Sequence, residues 1–99
     1  MTFDEVVRDI YQRYELSLSK FAAGINAVYP DPNDRVVKMT ISYWRRGKNS
    51  PNMAKIEFLS RYAPPGSWVK EFGQRGSVAL CPDWEPTGQG EEVSMGSDN

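Results

Sequence analysis

Histidine is absent from the 99 residues, cysteine occurs once, at Cys81, and no apolar run approaches the length of a membrane span. The first absence removes the usual general base near neutral pH and the commonest zinc ligand. A lone cysteine can form no internal disulfide. The lack of a long apolar run, and of a basic-then-apolar N-terminal layout, leads to the expectation of a soluble, cytosolic chain with no membrane partner. Ser17, Ser19 and Ser42 stand in no Gly-x-Ser-x-Gly elbow. Asp31 and Asp34 flank Pro32 without the glycine turn of a calcium loop, so they read as turn and cap residues. The expectation is a protein that is not an enzyme, with no catalytic residues, no metal and no cofactor.

What is present is charge sorted along the chain. The formal net charge of −1 averages two unlike halves. Arg35, Lys38, Arg45, Arg46 and Lys48 follow one another without an intervening acid after Asp34, whereas beyond Arg75 the charged residues are Asp83, Glu85, Glu91, Glu92 and Asp98. A block of one sign is commonly a solvated face, but a basic block on a helix is also the electrostatic footprint of nucleic-acid binding.

Hydrophobic spacing predicts an all-α domain of four to five helices over residues 1–81, followed by a disordered acidic tail over 82–99 in which Trp84 is the one large ring. Phe3, Val6, Val7, Ile10 and Tyr14 recur at helical intervals, and Thr2 with Glu5 forms a capping box, giving a first helix from about Phe3 to Tyr14. Ser17 caps a second helix that ends near Gly24 or Ile25. Pro30 and Pro32 forbid a helix until they are passed, so the third runs from about Arg35 to Arg46, capped by Asn33 or Asp34, with Val37, Ile41 and Trp44 inward. Gly47 closes it. Ser50 and Pro51 open a fourth helix as cap and first residue, with Met53, Ile56, Phe58, Leu59 and Tyr62 apolar, until Pro64-Pro65-Gly66. Ser67 caps a short fifth helix carrying Trp68, Val69 and Phe72, which Gly73 and Gly76 weaken; those rings close the core or form a dimer surface.

The run Ile41, Ser42, Trp44, Gly47, Lys48, Ser50 and Pro51 resembles the end of the third helix in the λ-repressor and Cro type (XRE-like) of helix-turn-helix family. Leu16-Ser17 with Phe21-Ala22 is similar to the start of that family's second helix, and the resemblance spans roughly residues 3–63. It implies a helix-turn-helix domain that binds double-stranded DNA, with Lys38, Met39, Ser42 and Tyr43 at base-facing positions. The same resemblance implies phosphate contacts from Ser17, Ser19 and Lys20 and from Arg46, Lys48 and Asn49, with Arg35 and Arg45 as lesser contributors. Three features depart from the family. Residues 27–37 form an insertion between helices two and three, expected as a local bulge. Leu18 stands where a glutamine often touches DNA. Arg45 replaces an acid that often pairs with a base on the first helix, and is expected to add charge at the DNA-facing end.

The function these features imply is sequence-specific DNA binding by a small transcriptional repressor of phage, plasmid or bacterial type, acting as a homodimer. The alternative keeps the fold as a protein-interaction module, an antitoxin or adaptor, and takes its weight from the insertion and Leu18.

Overall fold

A computed structural model describes residues 2–30 and 32–82, which form five helices and no strand. The acidic tail expected from residue 82 lies, Pro82 apart, outside the described residues. The helices are α1 (Phe3–Arg13), α2 (Leu18–Val28), α3 (Lys38–Arg45), α4 (Met53–Tyr62) and α5 (Trp68–Leu80). None of them is long and apolar enough to cross a membrane.

Local chemistry sets most boundaries. The Thr2 amide donates to Glu5 Oε1 at 2.8 Å, closing the N-terminal turn of α1 as the capping box requires. Ser17 Oγ accepts from the Lys20 amide at 3.1 Å and Ser67 Oγ from the Lys70 amide at 3.2 Å, opening α2 and α5. Helix α3 ends as expected. Gly47 takes φ +73°, while the Lys48 amide donates to the Tyr43 carbonyl at 2.9 Å and the Gly47 amide to that of Trp44 at 3.1 Å. That pair of bonds is a Schellman closure. Helix α1 ends by the same pattern, Leu16 to Tyr11 and Glu15 to Gln12, but its left-handed residue is Glu15, at φ +52°.

Four sequence expectations need correction. Helix α2 continues past Gly24 to Val28, because Gly24 is where the Trp68 ring packs: a Cβ there would lie 2.4 Å from Trp68 Cζ2. Helix α3 starts at Lys38 rather than Arg35, and this three-residue delay exchanges two valines. Val36 is buried in the preceding loop, whereas Val37, expected inward, is 52% exposed at the N-cap position. Helix α4 is capped by Asn52, whose Oδ1 accepts from the Lys55 amide at 2.9 Å, so Ser50 and Pro51 precede the cap and belong to the connecting turn. Helix α5 has 13 residues and is the longest of the five, running through both glycines. A Cβ on Gly73 would lie 2.5 Å from the Ser60 amide nitrogen, so the missing side chain is what lets α5 lie against the α4 backbone.

The core is built on rings. Phe72 of α5 lies 5.7 Å from Phe3, 5.1 Å from Phe21 and 6.2 Å from Trp44, one ring from each of α1, α2 and α3. Val6, Val7, Ile10, Ile25, Ile41, Ile56 and Leu59 fill the remaining volume. Phe72 is fully buried and the Trp68 ring packs on Phe21 at 4.9 Å, so these aromatics close the core. Beside these core contacts, an ionic network also ties α1 to α5: Arg75 reaches Asp9 at 2.6 Å and Glu71 at 2.9 Å, Tyr14 donates to Glu71 at 2.6 Å, and Arg13 bonds both acids.

Two outcomes follow. Gly73→Ala should destabilise the fold by about 1–3 kcal/mol, since the α4 backbone must move to admit a methyl group, with the loss read from urea denaturation. The second concerns acid. The hydrogen bond from Arg75 holds the Asp9 carboxyl below its ordinary value; at Glu71 burial opposes ionisation, but bonds from Tyr14, Arg75 and Arg13 outweigh it. A carboxylate with a lowered folded pKa contributes stability that is present above its unfolded value of about 4 and is lost as pH falls through the folded value. Thermal melting temperature should therefore drop more steeply between pH 5 and pH 3 in the wild type than in an Asp9→Asn/Glu71→Gln double variant, as a direct comparison of melting curves would check.

Candidate nucleic-acid interface

At about 100° per residue, Ile41 and Trp44 share one side of α3 and both are buried. Lys38, Met39, Ser42 and Tyr43 fan across the other side, with Arg46 in line behind them. Lys38 and Met39 are exposed, Met39 to 56%, while Ser42 and Tyr43 are half-buried. These side chains are not independent. The Arg46 guanidinium lies 5.5 Å from the Tyr43 ring centre and its Nε donates to the Ser42 carbonyl at 3.3 Å, so a cation sits over the aromatic face. Beyond Gly47, Lys48 and Asn49 are exposed in the turn.

At the start of α2, Ser19 and Lys20 are exposed. Ser17 uses its oxygen to cap the helix, which leaves its hydroxyl hydrogen to donate outward. Between this corner and the end of α3 lies an open groove of about 840 Å³ whose walls include Arg8, Tyr11, Glu15, Leu16, Arg45 and Arg46. Of the phosphate candidates Arg46 lines this groove, and Leu16 on the facing wall is the residue before Ser17, whereas Asn49 lines a separate hollow beside Asp34 and Lys55.

Arg45 is held against α1. Its guanidinium lies 4.7 Å from the centre of the Tyr11 ring, and its carbonyl accepts from Arg8 Nη1 at 2.9 Å. A cation stacked on a ring thus joins α3 to α1. Arg35 is exposed in the loop before α3 and is not part of the helix.

That loop, between Val28 and Lys38, is fastened from within. The Asn26 side chain forms a two-way bond with the Val36 backbone, Nδ2 donating to the carbonyl at 2.7 Å and Oδ1 accepting from the amide at 2.9 Å. Lys55 of α4, whose side chain is 4% exposed, donates through Nζ to the Asp34 carbonyl at 2.7 Å, pairs with the Asp34 carboxylate at 3.1 Å and lies 5.5 Å from the Tyr29 ring centre. These bonds satisfy polar groups that would otherwise be stranded in the interior. They seat Val36 in the core and thereby fix where α3 begins. Sequence reasoning missed Asn26, Lys55 and Arg8. The only signal was that Asn26 stands four residues after Ala22, on the inward side of α2.

The chain matches no protein-family model, and comparison with curated proteins and with solved structures likewise returned no match.

Asn26→Ala should leave the Val36 amide and carbonyl buried without partners, at a cost of about 1–3 kcal/mol for each stranded group. Hydrogen exchange should show the amides at the start of α3 losing protection well before those of α5; equal protection at both places would mean that Asn26 does not set the start of α3.

Proposed function

We propose that the protein binds double-stranded DNA in a sequence-dependent manner through the outward side of α3, as a small transcriptional repressor. The observation that carries this reading is the division of α3. Its inward side is committed to the core through Ile41 and Trp44, and its outward side gathers a cation, a thioether, a hydroxyl and a cation-capped ring. A helix fits the major groove, where lysine donates to guanine acceptors and an apolar group packs on a thymine methyl. Lys38 and Met39 suit those roles, with Ser42 and Tyr43 reaching bases or phosphates. Ser17, Ser19 and Lys20 on one side, and Arg46, Lys48 and Asn49 on the other, supply groups that hold phosphates and fix register. One module of this kind buries only about 600–1,000 Å² on DNA, so high specificity calls for two copies on a two-part site.

A second reading, a protein-interaction module, draws on Val37 and Met39, which are 52% and 56% exposed close together at the start of α3. An apolar pair at that point also suits a protein partner.

Selection from a randomised duplex pool, followed by salt titration on the selected sites, separates the two. DNA binding predicts an enriched sequence and an affinity that falls steeply with salt. Changing Arg46 and Lys48 together to Ala should weaken every duplex similarly and lower the slope of log affinity against log salt by about two. Lys38→Ala should instead relax preference at one base position, by about 1–3 kcal/mol. Failure to enrich any sequence, with no salt-dependent binding, would favour the protein partner.

A further inference from the structure

Among the described residues, the groove between α1 and the end of α3 has three guanidinium groups on its walls, from Arg8, Arg45 and Arg46, against one carboxylate, that of Glu15. All three are held in place, Arg46 by its bond to the Ser42 carbonyl and its seat over the Tyr43 ring. Arg8 uses Nη1 for both of its bonds, to Asp4 Oδ2 at 2.9 Å and to the Arg45 carbonyl at 2.9 Å, and a guanidinium has five N–H groups to offer. The carbonyl it meets is one of the unpaired acceptors at the end of α3, where a cation is also favoured by the helix dipole. Arg45 is stiffened by its stack on Tyr11. Half of the Arg8 side chain remains exposed, so the group is anchored without being hidden.

Position gives the groove its meaning. Leu16 on one wall directly precedes Ser17 in the chain, and Arg46 on the other precedes the Gly47–Lys48 turn. A strand of phosphates that meets Arg46 is thereby brought beside Arg45 and Arg8 on the walls of the same groove. The groove is open and its cations stand on two walls, which suits a polyanionic strand better than one enclosed anion. Resting on the DNA reading above, we propose that this groove cradles the sugar–phosphate backbone of the bound duplex, with Arg8 and Arg45 as phosphate-binding residues and Glu15 as an acid that holds affinity down. Arg8 lies on α1, outside the two segments that the sequence points to, and Glu15 occupies the left-handed corner where glycine would be the unstrained choice.

The test is a salt titration of the full chain on one duplex, comparing wild type with Arg8→Gln, Arg8→Lys and Glu15→Gln, each checked for folding by thermal melting. Arg8→Gln should lower the slope of log affinity against log salt by about one, and Arg8→Lys should restore it. Glu15→Gln should tighten binding at low salt, with the gain disappearing as salt rises, because the repulsion it removes is screened. If Arg8→Gln melts early, Arg45→Gln takes its place beside Glu15→Gln, with the same loss of slope expected. Duplex binding that persists with an unchanged slope in the arginine variant, or a Glu15→Gln affinity equal to wild type, would overturn the groove while leaving the DNA reading intact. Wild-type protein that shows no salt-dependent duplex binding would overturn both.

Discussion

Phe72 is the point on which the arrangement of helices depends. Its ring meets one ring from each of α1, α2 and α3, so a single α5 side chain fixes the relative positions of three elements that the chain completes before α5. Aromatic pairs favour tilted or offset arrangements, which makes such a cluster more selective in geometry than aliphatic packing of equal area. Two of these contacts are T-shaped or tilted and the third, to Trp44, is stacked. Trp44 matters most for the surface. Because its ring is held against Phe72 and Phe3, the rotation of α3 about its own axis is set, and with it the residues that face out.

Rotation alone does not define the outward surface of α3; its starting point must also be fixed. That task falls to polar groups. Asn26 and Lys55 hold the loop before α3 by its backbone, on Val36 and Asp34, rather than by the loop's own side chains alone. Buried polar pairs contribute little net stability but penalise alternative arrangements strongly, since any slip leaves donors and acceptors unpaired. The segment Asp34–Val36 is thus fastened, and the surface beside it inherits that definition.

Much of the scaffold was legible in the sequence because α1 and α3 carry apolar residues at helical intervals and because Ser17, Gly47 and Ser67 act through local bonds alone. Misreadings arose where a residue type has two physical uses. Gly24, Gly73 and Gly76 read as breaks, yet Gly24 makes room for Trp68, Gly73 for the α4 backbone and Gly76 for Phe3. Val36 and Val37 are neighbours of the same type, and only the tertiary bond to Asn26 decides which is buried. Within the candidate site, the outward residues of α3 follow from periodicity once Ile41 and Trp44 are assigned inward. Arg8 and the groove do not, because they depend on α1 meeting the end of α3 across 37 positions of sequence.

The close approach at Gly73 has a bearing on motion. With the α5 backbone set directly against that of α4 at Ser60, no layer of side chains remains there to rearrange, and sliding of one helix along the other would drive Cα hydrogens into peptide groups. Packed interiors have few soft directions, and this contact removes one more. Helices α4 and α5 should fluctuate as one body, whereas the loop between α2 and α3 moves whenever its polar fastenings open. Whatever compliance the outward surface needs to adapt to a partner must therefore come from the α2–α3 side, against a stationary α4–α5 backing.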